Sequence, residues 1–250
     1  MNYKVPKNLL TKNNAKTIKG EKYGWTTRIL YLSPYKQNAG GINLCSHASN
    51  GCAAACLFGS GHGSLNNVEK GRTNKTEYFL GDRKGFLAQL KKEVANAEKL
   101  ANKNGVKLCI RLNGTSDVPF EKFKVENGKT LMELFPNVQF YDYTKNPFRF
   151  NKVLPENYQL TFSRSETNDE AVDKVLASGG NVAVVFDELP ETYKGYKVIN
   201  GDFSDLRFED EKNVIVGLKY KKLTSKGSDN QEVFKSGFGV RKEELEQVKA

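Results

Sequence analysis

Residues 86–112 read Phe-Leu-Ala-Gln-Leu-Lys-Lys-Glu-Val-Ala-Asn-Ala-Glu-Lys-Leu-Ala-Asn-Lys-Asn-Gly-Val-Lys-Leu-Cys-Ile-Arg-Leu. Apolar side chains recur there at helical spacing, at Phe86, Leu87, Leu90, Val94, Ala97 and Ala101. Gly105 is a helix stop signal, and an apolar run rich in β-forming residues, Lys107–Leu112, follows directly. A helix that leads into a buried strand is typical of a βαβ unit, so this stretch predicts a parallel sheet.

The same alternation continues along the chain. The candidate strands are Arg28–Ser33, Lys107–Leu112, Val138–Tyr143, Gln159–Phe162, Asn181–Phe186 and Asn213–Leu218. A second helix is predicted to begin at the capping-box pattern Thr167-Asn-Asp-Glu170 and to end at Gly179-Gly180. Shorter helices are predicted near Thr130–Phe135, Pro147–Val153 and Arg241–Val248. We expect an α/β fold, either a partial (β/α)6 barrel or an open parallel sheet with flanking helices.

Length and composition favour one globular domain. The chain has 250 residues, of which 38% are hydrophobic and 27% charged, and this composition is typical of a folded rather than a disordered protein. No repeat and no shift in composition marks a boundary. We expect a single α/β domain over residues 1–250, with an extended amino-terminal segment at 1–27 and a peripheral carboxy-terminal hairpin or helix at 221–250.

The chain is basic, with 39 Lys and Arg against 29 Asp and Glu and a formal net charge of +10. These charges are interleaved, so a nucleic-acid-binding face and an ordinary solvated surface both stay open. No apolar run is long enough to cross a bilayer, and residues 1–7 do not resemble a secretion signal. We expect a cytoplasmic protein with no membrane partner.

Three of the four cysteines lie in one loop, Cys45-Ser-His-Ala-Ser-Asn-Gly-Cys52-Ala-Ala-Ala-Cys56, directly after the first candidate strand. A cytoplasmic chain keeps its thiols reduced, which leaves metal binding or catalysis as the usual reason for such a cluster. Thiolates are preferred ligands of iron–sulfur clusters and of zinc. The small residues between the cysteines let the backbone wrap closely around a bulky inorganic group.

We favour a [4Fe–4S] cluster held by Cys45, Cys52 and Cys56. The spacing is not that of a zinc ribbon, but His47, His62 or Cys109 would be available to complete a zinc site, and metal-free thiols are a third alternative. Cys109 lies early in its predicted strand, away from the loops that follow the strands, which favours three cysteine ligands.

Polar residues follow the second, third and fourth candidate strands. In parallel α/β folds, ligands sit beyond the carboxyl ends of the strands, so these loops and the cysteine loop are expected to converge on one pocket. The candidate cofactor-binding residues are Asn113, Ser116, Asp117, Lys145 and Ser163. The alternative interpretation is that the short polar side chains cap turns and that the lysine is solvated.

The segment Asp202-Phe-Ser-Asp205-Leu-Arg207 is interpreted as structural. Its apolar residues predict docking to the body of the protein, and its acids and arginine predict an ion pair. The sequence contains no recognisable catalytic triad, nucleophile elbow or paired acid and base, so the catalytic residues are unknown.

A cysteine triplet on the loop after the first strand of a six-stranded (β/α) array resembles radical S-adenosylmethionine enzymes. The resemblance implies a partial barrel and a three-cysteine [4Fe–4S] cluster whose fourth iron binds S-adenosylmethionine. The usual spacing in that family is C-x3-C-x2-C, whereas this chain has C-x6-C-x3-C.

A resemblance over most of the chain is to the phage family named after gene product 88. It is carried by Leu30-Tyr-Leu-Ser-Pro34, the Cys45–Cys56 loop, Arg111-Leu-Asn-Gly-Thr-Ser-Asp117, Gly201-Asp-Phe-Ser-Asp-Leu-Arg-Phe208 and Val214-Ile-Val-Gly-Leu-Lys219. It implies a phage or prophage protein acting in the host cytoplasm, and it brings no established substrate.

Two functional classes follow. The first is a redox or radical enzyme with a small-molecule ligand at an open iron. The second is a non-enzymatic protein in which a cluster or zinc staples the loop and the basic surface binds nucleic acid or a host protein. The fourth ligand separates them, because a closed coordination shell leaves no position for substrate.

Overall fold

The computed structural model describes residues 3–12, 18–56, 59, 61–224 and 230–247. The strands are β1 (Leu10–Lys12), β2 (Trp25–Leu30), β3 (Lys107–Arg111), β4 (Gln139–Thr144), β5 (Tyr158–Ser163), β6 (Val182–Phe186), β7 (Thr192–Tyr193), β8 (Tyr196–Asn200), β9 (Ile215–Lys219) and β10 (Gly239–Val240). The α-helices are α1 (Ile18–Glu21), α2 (Asn50–Ala54), α3 (Asn66–Gly81), α4 (Arg83–Lys103), α5 (Leu131–Leu134), α6 (Asp169–Ala177), α7 (Glu232–Lys235) and α8 (Lys242–Gln247). Short 3₁₀-helices lie at Gly61–Ser64, Phe120–Lys122, Pro147–Arg149 and Arg207–Glu209.

The strands form one open, mostly parallel sheet. Their order is β1-β2-β3-β4-β5-β6-β9-β8-β7, and β10 pairs with β6. Strands β2 to β6, β9 and β8 run parallel, whereas β1 and β7 pair antiparallel at the two edges. Of the two architectures expected from the sequence, the open sheet is therefore the one found, and the sheet does not close.

All six candidate strands are present. The largest shift is in β2, which begins at Trp25 because Trp25 and Thr26 pair with Lys107 and Leu108 of β3. Strands β1, β7 and β10 were not predicted from the sequence because each has only two or three residues, and β8 was not predicted because its side chains are half-buried or exposed. Helix α3 was not predicted from the sequence either, because its residues are mostly polar and its buried side chains do not form a regular apolar stripe.

Helix α4 confirms the interpretation of residues 86–101, and all six residues of that apolar stripe are buried. They join a core with the side chains of β2, β3 and β4 that point to the same face of the sheet. Helix α6 covers β5, β6 and β9 in the same way with Val172, Val175 and Leu176. The helices of the described chain include none that is both long and apolar enough to cross a membrane.

The predicted capping box of α6 is wrong. The helix begins at Asp169, and its N-cap residue is Asn168 rather than Thr167. The Asn168 side chain accepts a hydrogen bond from Ser165 N at 2.7 Å and donates one to Ser163 O at 3.0 Å. It therefore stabilises the loop after β5 instead of capping the helix.

The opposite face of the sheet is covered by the segment after β8. Leu206 packs in a small core with Cys109 and Tyr141, and the Phe208 ring makes an edge contact with Trp25. The predicted docking of this segment is confirmed. Its ion pairs differ from the prediction, because Asp202 pairs with Lys221, Asp205 with Arg111 and Arg207 with Asp210.

Strands β5 and β6 separate towards their carboxyl ends. They pair only at Phe162 with Val182 and Ser163 with Ala183, after which β10 pairs with β6. The carboxy-terminal segment enters through this gap, so residues next to β10 reach the edge of the sheet where the site lies.

Candidate functional site

A cavity of about 210 Å³ lies at the carboxyl ends of the parallel strands. Its lining includes the eight residues singled out from the sequence, which are Cys45, Cys52, Cys56, Asn113, Ser116, Asp117, Lys145 and Ser163. The structure thus brings the cysteine loop and the loops after β3, β4 and β5 together, as expected for a parallel sheet. The roles of these residues in binding stay predictions.

The first cysteine is fixed by the loops beside it. Its thiol accepts a hydrogen bond from Tyr35 N at 3.3 Å, and Leu44 O accepts one from Asp117 N at 2.9 Å. Tyr35 has a φ of 47°, a left-handed backbone that turns the chain at the end of the strand run. These contacts tie the start of the cysteine loop to the loop after β3.

Helix α2 carries the second cysteine, and Glu166 holds its amino end. One Glu166 oxygen accepts from Gly51 N and the other from the Ser49 hydroxyl, both at 2.7 Å, while Ser49 Oγ accepts from Cys52 N at 3.1 Å. A Cβ on Gly51 would lie 2.8 Å from Phe238 Cβ, so only glycine permits this close approach. The cysteine loop is therefore docked on the loop after β5.

The four cysteines all lie in the described part of the chain and form no disulfide. Burial raises the pKa of the Cys45 thiol to about 12, and the nearby Cys56, Asp117 and Cys52 add to this effect. The metal-free thiol is therefore neutral, and a metal must displace its proton to bind.

Lys145 places a positive charge beside the thiols. Burial alone would lower the pKa of Lys145, but Cys52 and Asp117 raise it above its ordinary value, and Lys145 hydrogen-bonds Cys52. Its ammonium lies 5.4 Å from the centre of the Phe238 ring. Lys145 therefore contacts both the cysteine loop and the carboxy-terminal segment.

The loop after β3 is a hydrogen-bonded turn. Asn113 Oδ1 accepts from Ser116 Oγ at 3.0 Å and from Val118 N at 2.7 Å, and its amide nitrogen donates to Val118 O and to Asp142. Asn113 and Ser116 therefore line the cavity while their polar groups bond within the protein. This arrangement agrees with the structural alternative for these two residues.

Asp117 is bound on both sides. One oxygen accepts from Arg149 Nη1 and the other from Lys145 N, each at 2.9 Å. Arg149 also pairs with Glu121 and donates to the Tyr158 hydroxyl. Asp117 thus belongs to a buried ion network that fixes the loops after β3 and β4, and it is not a free carboxylate at the cavity.

Several lining residues were not identified from the sequence. They are Arg111 and Tyr143 near the carboxyl ends of β3 and β4, Asp202 after β8, and Tyr220, Lys221 and Phe238 from the carboxy-terminal part. Arg164 was noted beside Ser163 but not chosen; it pairs with Asp169 and donates to Phe238 O. Polar side chains within apolar strand runs were the available signal for Arg111 and Tyr143.

The other candidate ligands lie elsewhere. Cys109 is fully buried in the middle of β3, where its thiol contacts Thr27 Oγ1 at 3.2 Å, and it does not line the cavity. His47 lies outside the lining, with its Nδ1 2.9 Å from Ser46 Oγ and its ring against Phe148. The side chain of His62 lies outside the described residues.

Within the part of the chain that the structure describes, no three His, Cys, Asp or Glu side chains are arranged to hold a single metal ion. A zinc site brings its thiolates together around one centre, because each Zn–S bond is about 2.3 Å. The cysteines line the cavity without forming such a preformed zinc site.

These features define an α/β protein with an open, mostly parallel sheet and a cysteine-lined cavity at the carboxyl ends of its strands. The sequence pattern of the family described as gene product 88 matches residues 8–235. The chain therefore belongs to the gene product 88 family, which confirms the resemblance to this phage family. No curated protein and no solved structure matches the chain. The more distant likeness to radical S-adenosylmethionine enzymes stays a prediction.

Proposed function

We propose that this protein binds a [4Fe–4S] cluster through Cys45, Cys52 and Cys56 and uses it in redox or radical chemistry on a small molecule. The observation that carries the proposal is that all three cysteines of one loop line a single cavity at the ligand-binding edge of a parallel sheet. The fourth cysteine is buried away from that cavity.

The donor set fits a cluster better than zinc. Thiolates that bind a [4Fe–4S] cube sit on different irons, so they need not converge on one centre as the thiolates of a zinc site do. The small side chains of Ala48 and Ala55 line the cavity between the cysteines and leave space there. When bound, the cluster would supply electron transfer at the floor of the cavity.

The proposal also includes a fourth iron that has no protein ligand. The described lining contains three cysteines and no histidine, so the protein offers three soft ligands for four irons. The fourth position would then be available to a ligand such as S-adenosylmethionine. The residues of this chain that line the cavity would orient that ligand.

The test is electron paramagnetic resonance (EPR) of anaerobically prepared, dithionite-reduced protein. Wild-type protein and Cys109→Ala are expected to give the same cluster signal, whereas Cys45→Ala, Cys52→Ala and Cys56→Ala each lose it. A change in the signal on adding S-adenosylmethionine would support the open iron. A signal that survives all three loop substitutions, or that disappears in Cys109→Ala, would overturn the ligand assignment.

The non-enzymatic alternative has its own outcome in this experiment. If the protein carries zinc and no cluster signal, the cysteine loop is a structural staple, and binding to nucleic acid or a host protein becomes the function to pursue.

A further inference from the structure

We propose that the cysteine-lined cavity binds a small organic oxyanion, a carboxylate or a phosphate, between Arg111 and Lys145. The inference goes beyond the proposed cluster and does not depend on it, because protein groups already hold both side chains in place. Arg111 is the last residue of β3, and Lys145 directly follows β4, the neighbouring strand of the sheet.

Arg111 is the first half of the site. Its guanidinium carbon lies 4.7 Å from the centre of the Tyr143 ring, and its Nη1 is 3.5 Å from Asp205 Oδ2. That contact is long for an ion pair, and the same Asp205 oxygen accepts from the Tyr141 hydroxyl at 3.1 Å. The Arg111 side chain is thus fixed in direction while part of its hydrogen-bonding capacity remains unused.

The unused hydrogen-bond donor of Arg111 is a single atom, Nε. Arg111 Nε is buried and has no hydrogen-bond partner among the described residues. Buried donors in folded proteins nearly always have an acceptor, so the protein's own groups satisfy this guanidinium only in part. The Arg111 side chain is 12% exposed and lines the cavity, so an anion bound there would contact its exposed part.

The acceptors in the cavity wall are already used. Asp117 accepts from Arg149 and Lys145 N, and the two oxygens of Asp202 accept from Lys221 Nζ at 2.8 Å and Lys219 N at 2.9 Å. The wall therefore offers donors to a ligand while its carboxylates are occupied. A ligand rich in acceptors and poor in donors fits this pattern, and that describes an oxyanion.

Lys145 is the second half of the site. It stands over the Phe238 ring on one side and beside Cys52 on the other, so its ammonium is directed by neighbours rather than solvated at random. A planar guanidinium and a compact ammonium on adjacent strands together suit a carboxylate or a phosphate.

The rest of the lining limits the ligand. One wall is apolar, formed by Ala183, Val185, Leu218 and Phe238, and the cavity volume is about 210 Å³. Apolar lining with a few placed polar groups is typical of small-molecule sites. The occupant would be a small molecule with a short apolar part and one anionic end.

The probes are inorganic phosphate and malonate, titrated onto metal-free wild-type protein. Phosphate binding is followed by ³¹P NMR line broadening, and malonate binding is followed by isothermal titration calorimetry and by its displacement of phosphate. Saturable binding of phosphate that malonate displaces is expected. If malonate binds and phosphate does not, the site takes carboxylates; the reverse result assigns it to phosphates. Because no metal is present, failure of the cluster proposal does not affect this result.

Substitutions locate the binding. Arg111→Gln and Lys145→Gln should each weaken anion binding roughly tenfold. Arg111→Lys should bind more tightly than Arg111→Gln but more weakly than wild type, because lysine keeps the positive charge and lacks the planar guanidinium that binds an oxyanion through two N–H groups. Arg83→Gln is the matched control, since Arg83 also stacks on an aromatic ring, Phe79, but lies outside the cavity. Unchanged binding in Lys145→Gln and Arg111→Lys, or no saturable binding of either anion to wild-type protein, would overturn the proposal.

Discussion

At the scale of single residues, Glu166 is the main support of the cysteine loop. Its two oxygens accept from Gly51 N and from the Ser49 hydroxyl, so one side chain fixes both the helix that carries Cys52 and the residue that caps it. Loss of charge-assisted hydrogen bonds to a buried backbone group is costly because that group then has no partner.

Glu166→Ala should lower the free energy of unfolding by about 1–3 kcal/mol, as measured by urea denaturation of metal-free protein. The matched control is Glu170→Ala, because Glu170 is exposed and its ion pair within the described residues is with Lys174 on the same helix, so its loss should leave stability nearly unchanged. Equal effects of the two substitutions would show that Glu166 does not hold the loop.

Asp142 gives a prediction about pH. It is fully buried, accepts from Asn113 N at 2.7 Å and from the Tyr158 hydroxyl at 2.8 Å, and burial raises its pKa from 3.8 to about 6. Because the folded pKa lies above the unfolded value, its stabilising contribution is complete below about pH 4 and is lost as the pH rises through 6.

The comparison is between wild-type protein and Asp142→Asn, with the free energy of unfolding measured from pH 4 to pH 7. Wild-type stability relative to the variant should fall across this range by up to about 3 kcal/mol, because asparagine does not titrate. The titration of the other carboxylates contributes equally to both proteins, so it cancels when the two free energies of unfolding are subtracted. A wild-type advantage that grows with pH would contradict the raised pKa.

The sequence identified the cysteines and the polar loop residues because they follow strand-like runs. It did not reveal Arg111 and Tyr143 as cavity residues, because the sequence of a strand does not show which of its residues face the cavity. The partner of Asp205 was equally hidden: Arg111 is distant in the sequence, and contacts of that kind depend on the register of the sheet.

At the scale of elements, the packing of α2 against the carboxy-terminal segment fixes the cysteine loop. A Cβ on Gly51 would lie 2.7 Å from Ser236 Oγ and 2.8 Å from Phe238 Cβ, closer than carbon atoms normally approach. Gly71, in the exposed part of α3, has nothing within 4 Å of the corresponding position. The two glycines are a matched pair inside helices.

Gly71→Ala should stabilise the protein by about 0.5–1 kcal/mol, because alanine favours helix and nothing clashes. Gly51→Ala should instead destabilise it by about 1–3 kcal/mol, because overpacking exceeds the helical gain. Thermal denaturation of both variants checks the sign. Stabilisation by Gly51→Ala would mean that α2 does not pack this closely.

The sequence predicted the central strands well because each is a short run that combines apolar side chains with β-branched or aromatic residues, which favour strands. Helix α3 was missed for the opposite reason: its buried residues include Arg72, Thr76 and Glu77, which are polar. Strand β10 has two residues and pairs with β6 where β5 and β6 separate, so no local sequence pattern predicts it.

At the scale of the whole molecule, the sheet and its helices form a core that does not involve the three cysteines of the loop. The cores under α4 and α6 consist of aliphatic and aromatic side chains, whereas the cysteine loop packs on a small separate cluster with Val233 and Phe238. The fold should therefore survive without a metal, and if the proposed cluster is bound, its loss would affect mainly the cysteine loop.

Removal of iron with a chelator should lower the melting temperature by a few degrees and leave the far-ultraviolet circular dichroism spectrum nearly unchanged, since a ligand that binds only the folded state stabilises it. The Cys52→Ala variant, treated in the same way, should show no shift. Global unfolding on chelation would show that the metal belongs to the main core.

The central claim is tested most directly by chemical analysis of iron, acid-labile sulfide and zinc in anaerobically purified protein. We predict about four irons and about four sulfides per chain in wild-type protein and in Cys109→Ala, and fewer than about one of each when Cys45, Cys52 and Cys56 are all replaced by alanine. Zinc at about one per chain without iron, or iron retained in the triple variant, would contradict a cluster bound by the cysteine loop.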